Sequence, residues 1–218
     1  MAIPAKLRPS WTFLHTQVIW LHGRWELFNQ LYGKSPERMD FLNRTAPTFF
    51  ALLQGILLND LQLTLSKLAD PATTGKRRNL TLETLLEEIK NLPEPQLAAQ
   101  LTPLLEHYRA ASSGTRVRRN KDIAHFDFAV QVSGGGEAAA LPGPSRKEID
   151  AALKALREFM TTLFGHFEGK HMLYEAFSLH DGANQLLYVL KQGLRYDQLA
   201  ETGIIDVGDL AQSPYFSV

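Results

Sequence analysis

The sequence predicts an all-α protein, an up-and-down helical bundle with an additional helical segment toward the C-terminal end. Three observations carry this reading. Apolar residues recur in alternating steps of three and four along several long stretches, strand-like alternation is nearly absent, and the connections between the periodic stretches are short. Each such helix has one apolar face to bury, and a bundle buries them all.

The first element runs from about Ser10 to Tyr32, with Trp11, Leu14, Val18, Leu21, Trp25, Phe28 and Tyr32 on one stripe, Ser10 as N-cap and Gly33 as the stop. A short helix follows Ser35-Pro36, where proline suits a first turn. Pro47 opens a long helix ending near Asp70-Pro71, its apolar line being Leu53, Ile56, Leu57, Leu61, Leu65 and Leu68. Polar positions such as Gln54, Asn59, Asp60 and Lys67 interrupt that stretch, which predicts a buried helix of a soluble protein rather than a membrane span. Residues 73–79 read as a polar, basic loop. Thr81 caps a helix from Leu82 to Asn91, closed by Pro93, and Leu97, Leu101, Leu104, Leu105 and Tyr108 mark the next. Ser112-Ser113-Gly114 breaks it, and a further helix starts near Thr115 and carries residues 118–125. Residues 126–132 fit either a helix extension or a short strand. The run SGGGEAAALPGPS (133–145) is a linker. Ser145 and Glu148 have capping-box spacing before a stripe of Ile149, Leu153, Leu156, Met160, Leu163 and Phe167. A last helix spans roughly Ala183 to Ala200. The chain thus reads as one domain over 1–218 with a C-terminal helical appendage at about 180–218.

Composition narrows the function classes. Lys and Arg number 23, Asp and Glu 23, and the net charge is zero. A protein that coats nucleic acid non-specifically carries a basic excess, so packing roles are excluded while an enzyme gripping a short segment is not. The absence of cysteine removes disulfides, thiolate zinc sites and cysteine nucleophiles. Residues 1–10 contain no apolar core of signal-peptide length, and the expected location is the cytoplasm.

The window RVRRNKDIAHFD (116–127) concentrates chemistry: four cations (Arg116, Arg118, Arg119, Lys121), the amide of Asn120 and the imidazole of His125. On an α-helix Arg118 and His125 share a face, and Arg119 can curl toward His125 from a flanking one. Metal-free RNA cleavage needs a base for the 2′-hydroxyl proton, an acid for the departing 5′-oxygen, and donors around the charged phosphorus centre. Histidine titrates near neutrality, and arginine presents a planar fork matched to phosphate. The bare Arg-to-His spacing is weak, expected about once by chance in such a chain; Arg8 through His15 satisfies it too. The context of Asn120 and the Ile-Ala pair before His125 separates the later match.

RNKDIAHFD resembles the signature of the HEPN superfamily (higher eukaryotes and prokaryotes nucleotide-binding domain). Together with RWELFNQLY (24–32) and LNDLQLTLSKLAD (58–70), it makes the chain similar to abortive-infection, AbiU-type bacterial HEPN proteins over about residues 10–200. The resemblance implies a HEPN-like bundle that pairs as a homodimer across the active-site face and cuts RNA without metal or cofactor, leaving 2′,3′-cyclic phosphate ends. Phage defence or a toxin role follows, with RNA and a cognate antitoxin or defence component as partners, and no membrane. Carried over, Arg119 stabilises the phosphorane, Asn120 orients substrate or histidine, and His125 transfers the proton, with Arg116, Arg118 and Lys121 on the substrate. Some HEPN toxins carry a modified tyrosine two positions after the histidine; here Asp127 stands there, so that modification is not expected. A dimer is also motivated directly, since two proton transfers are needed and one chain offers one well-placed histidine. The competing readings are a non-catalytic HEPN protein that binds nucleotides or a partner, and an unrelated helical interaction module.

Other residues have plainer readings. Arg118 and Asp122 have i,i+4 spacing, which would make the window a solvated charged face. Asp60 sits on an apolar stripe, where an acid is costly unless partnered; it either orients the catalytic arginine or histidine from behind, or forms an ion pair or dimer contact. Asp70 reads as a helix terminus only. Lys76, Arg77 and Arg78 form a basic loop, more often solvated than RNA-guiding. His166 and His171 lack a carboxylate companion set for metal, and His15 and His22 share a face suited to packing or hydrogen bonding. The tryptophans and phenylalanines at helical spacing are expected in the core, not on a base-stacking platform.

Overall fold

The computed structural model describes residues 2–123, 144–176 and 181–205. The protein is all-α: helices α1 (Arg8–Tyr32), α2 (Pro36–Thr45), α3 (Pro47–Leu68), α4 (Leu82–Lys90), α5 (Pro95–Ala111), α6 (Ser113–Arg118), α7 (Arg146–Glu168) and α8 (Ala183–Glu201). Residues 126–132, most of the linker 133–145 and the residues after 205 lie outside the described residues.

Local chemistry fixes several boundaries. The Ser35 hydroxyl accepts from the Arg38 amide at 3.3 Å and sets α2. Thr81 does the same for Thr84 at α4. At α7 both halves of the capping box form, Glu148 N to Ser145 Oγ at 3.2 Å and Ser145 N to Glu148 Oε2 at 2.7 Å. These bonds satisfy amide donors that have no partner within the helix. The helix ends at Gly169, whose φ of 64° suits a residue without Cβ. Two expected boundaries moved. The first helix begins at Arg8, so Ser10 is inside it and donates to Glu88 Oε1 at 2.9 Å. The chain breaks at Ser112 alone, and α6 starts at Ser113. The expected loop 73–79 contains a two-residue hairpin, β1 (Thr73–Thr74) against β2 (Arg77–Arg78), turning at Gly75 with φ 58°.

The chain divides into two compact units. The first comprises Met1–Glu26 and Gly55–Ser178. Its centre is the packing of α5 on α7, with α4 also against α5. All six stripe residues of α7, Ile149 through Phe167, are buried, as are Leu97, Leu101, Leu105 and Tyr108 of α5. Burying each such side chain stabilises by about 1.5–3 kcal/mol. The first helix is tied to α7 by Trp25 Nε1, which donates to Asp150 Oδ1 at 2.7 Å, and by stacking of Trp11 on Phe164. The second unit comprises Leu27–Gln54 and Leu179–Val218. Phe28, Leu31, Tyr32, Phe41, Leu42 and Phe50 are buried there, and Tyr32 donates to the Phe50 carbonyl at 2.8 Å. Helix α8 buries only Ala183 and Leu187.

The long helix α3 differs from the expected fully buried element. Leu57, Leu61, Leu65 and Leu68 are buried, but Ile56 is 64% exposed, and Phe49 and Leu52 are exposed as well. Adjacent helical residues point about 100° apart, so Ile56 leaves the face that Leu57 occupies. Among the described residues α3 is the one helix long and apolar enough, at a mean hydropathy of 1.3, to pass a membrane-span test by length and composition. Phe13 and Trp20 of α1 are exposed too, so not every aromatic at helical spacing is core.

Candidate active site

The candidate site assembles in the first unit where the end of α3 meets the start of α6. Ser66 Oγ lies 2.7 Å from the Gln62 carbonyl and 3.2 Å from Thr115 Oγ1, and Thr115 donates to the Ser112 carbonyl at 2.7 Å. Tyr108 adds a bond from α5 to the Leu65 carbonyl at 2.6 Å. Burial, and then the negative charge of Asp70, push that phenol well above its ordinary range. This buried polar seam fixes the two segments that carry the charged groups.

Asp70 lies just past α3. Tight closures from Ala69 N to Ser66 O (3.2 Å) and Asp70 N to Lys67 O (3.3 Å) wind up the helix end before Pro71. Arg109 braces the reversal: its Nε donates to the Ala69 carbonyl at 3.4 Å, and its Nη2 meets Glu83 Oε1 at 3.0 Å. Glu83 in turn accepts from the Ala72 amide at 2.6 Å. Burial alone would raise the Glu83 carboxyl, but the Ala72 amide and the Arg109 guanidinium outweigh it and hold it below the usual carboxylate range.

After α6 the helix widens. Arg119–Ile123 form a π-helical turn, a geometry often found at functional sites. Its i→i+5 bonding gives residues 119–123 a different angular step from an α-helix, and residue 125, expected to share a face with Arg118, lies outside the described residues. Arg119 Nη1 donates to Asp70 Oδ2 at 2.6 Å, and Arg119 Nε donates to Asn120 Oδ1 at 3.0 Å. Arg116 Nη2 stands 3.7 Å from Asp70 Oδ1. The structure therefore brings together Arg116, Arg119 and Asn120 of the predicted set around Asp70. Nη2 of Arg119 has no partner among the described residues, and this third corner of the guanidinium can meet a phosphate oxygen. Arg118 is half-buried. His125 and Asp127 lie outside the described residues, as do the side chains of Lys121 and Asp122.

Asp60 is elsewhere. Its Oδ2 lies 2.9 Å from Arg24 Nε, an ionic contact without hydrogen-bond alignment. The carboxylate on Arg119 is Asp70, which local sequence marks only as a helix terminus. One signal pointed to it: an acid at a helix C-terminus opposes the helix dipole and needs a cation nearby. Three other histidines have local roles. His166 Nε2 meets Glu94 Oε2 at 2.9 Å, and His15 Nδ1 lies 2.8 Å from the Tyr174 hydroxyl. His22 is buried against Tyr174; burial, then Arg157, lowers its pKa to about 4, with Glu175 opposing. Among the described residues no group of three His, Asp or Glu side chains could hold a metal ion.

Comparison with known proteins gives one match. The family profile described as HEPN_AbiU2 (AbiU2) matches residues 10–186. No curated protein and no solved structure matches the chain.

Proposed function

We propose that this chain, which belongs to the AbiU2 family of HEPN proteins, is a metal-independent endoribonuclease of phage defence or a toxin, acting as a homodimer. The observation that carries the reading is the clamped guanidinium of Arg119, held by Asp70 and Asn120 with Nη2 left over among the described residues, at the first position past the end of a short basic helix. A fixed cation aimed at developing phosphoryl charge needs no reorganisation at the moment of reaction.

In the proposed reaction the 2′-oxygen attacks phosphorus and the bond to the 5′-oxygen breaks, leaving a 2′,3′-cyclic phosphate and a free 5′-hydroxyl. His125 of one protomer removes the 2′-hydroxyl proton, and His125 of a second protonates the departing oxygen. Arg119 stabilises the phosphorane, Asn120 keeps Arg119 in line, and Arg116, Arg118 and Lys121 hold flanking phosphates. The cytoplasm, where the substrate is, is the proposed location, and a cognate antitoxin or defence component would restrain the activity.

Purified protein incubated with RNA in EDTA is expected to yield 2′,3′-cyclic phosphate ends, and His125→Ala to abolish them while leaving the circular dichroism spectrum intact. Intact RNA at high protein concentration would sink the enzyme, and monomer alone in micromolar light scattering would remove the shared site. A second reading, a non-catalytic nucleotide- or partner-binding member, draws on one observation: two corners of Arg119 are already engaged within the protein.

A further inference from the structure

Beside Asp70 lies a cleft of about 440 Å³ that the chemistry above does not use. It is walled by α1, the C-terminal end of α3 and the connection from β2 to α4. That volume is within the range of pockets that enclose small ligands. Two of its lining side chains are apolar yet open to water: Phe13, 50% exposed, and Leu80. Two others are cations. Lys67 has no ion-pair partner among the described residues, and Arg78 reaches its nearest carboxylate, Glu88, only at 3.9 Å. The Asp70 carboxylate also lines the cleft, but Arg119 and Arg116 already hold it. The side chains of Gln17 and Thr64 also line the cleft and form no hydrogen bond among the described residues. One aromatic ring beside an aliphatic side chain, two cations without strong partners and two open hydrogen-bonding groups together match a nucleotide: base, phosphate and base edge. A neighbouring cleft of about 550 Å³ shares Phe13 and Gln17 and adds Arg8, so the groove continues along α1 for further residues of a strand.

We propose that this cleft seats one nucleotide of single-stranded RNA next to the Arg119 site and so sets which sequences are cut. The base packs on Phe13 and Leu80, Lys67 and Arg78 hold its phosphate, and Gln17 and Thr64 read its edge. The proposal rests on the ribonuclease reading and deepens it, since a chain with no net charge gains its grip from such a local patch.

The test separates binding from cutting. A fluorescent oligonucleotide fully 2′-O-methylated lacks the attacking hydroxyl, so the full-length protein can bind it but not cleave it. Anisotropy titrations in EDTA at several salt concentrations should show wild-type binding. Phe13→Ala should weaken it five- to a hundredfold, the range that loss of one stacked base gives. Lys67→Ala should weaken it and lower the salt slope by about one. Both positions are exposed, so unchanged melting curves are expected for both variants. Cut sites in a random unmodified RNA pool should show a base preference that Gln17→Ala flattens. Should both variants bind like wild type and Gln17→Ala keep the wild-type preference while RNA is still cut, the cleft proposal is overturned and the ribonuclease reading survives. Wild-type protein that neither binds nor cuts RNA overturns both.

Discussion

Two acids of one helical segment, Asp60 within α3 and Asp70 just past it, each hold an arginine, and the two pairs differ in kind. Asp60 meets Arg24 at 2.9 Å with 43% of its side chain exposed. Asp70 meets Arg119 at 2.6 Å in a tighter place, with 22% of the acid and 16% of the arginine exposed. The first pair is a contact between two helices, and its meeting atoms, Arg24 Nε and Asp60 Oδ2, are shielded from water yet not aligned as a hydrogen bond. The second is embedded: Arg109 and Glu83 fix the backbone beside Asp70, Asn120 takes a second corner of Arg119, and Arg116 approaches the far oxygen. An acid on an apolar stripe signals a cost, whereas an acid at a braced helix end marks where a guanidinium is held in one orientation.

The largest separation of the two pairs is expected in catalysis. Arg119→Ala should lower kcat/KM for RNA cleavage at least a hundredfold, the usual effect of removing one donor to a developing oxyanion. Arg24→Ala should change it less than threefold. Equal losses in the two variants would erase the distinction and point to a shared structural cause. Both variants should keep most of their helical signal, because neither arginine is in the core.

Much of the scaffold behind these pairs was legible in the sequence. The capping box at Ser145, the caps at Ser35 and Thr81 and the stripe of α7 follow from rules that act within four residues. The pairing of Asp70 with Arg119 joins residues 49 positions apart, and no local pattern encodes which cation an acid will find. The π-helical turn was hidden for a related reason: residues 119–123 carry no proline or glycine to announce it. Asp60 stands out in the sequence only if Ile56 belongs to the apolar stripe, and the structure turns Ile56 toward solvent.

The comparison also has a pH window. His22, two residues before Arg24, is buried against Tyr174, with Arg157 and Glu175 the charged groups acting on it. Its pKa falls from 6.5 to about 4 on folding, so the folded form takes up its proton later than the unfolded chain does. Stability is therefore complete above about pH 6.5 and declines as pH drops toward 4, by roughly 2 kcal/mol at pH 5. Chemical denaturation at pH 7.5 and pH 5 should show this loss, and His22→Gln should shrink it. An undiminished pH dependence in that variant would assign the loss to another group. Measurements of the two acid pairs thus belong above pH 6.5, where the background is flat.

The smallest expected effect discriminates best between a positioned and a locked guanidinium. Asp70→Asn keeps an oxygen for Arg119 Nη1 but removes the charge, and charge-assisted hydrogen bonds are roughly twice as strong as neutral ones. If Asp70 positions Arg119 for the phosphate, kcat should fall about tenfold, roughly 1.4 kcal/mol, with KM little changed. Asp70→Glu, which restores the charge on a longer arm, should recover part of the loss, and Asp60→Asn should shift kcat less than threefold. If instead the carboxylate locks the guanidinium away from RNA, freeing it should leave cleavage unchanged or raise it, and the positioning role is then lost. The sign of one rate change decides, because both arrangements predict the same resting contact but opposite consequences of weakening it.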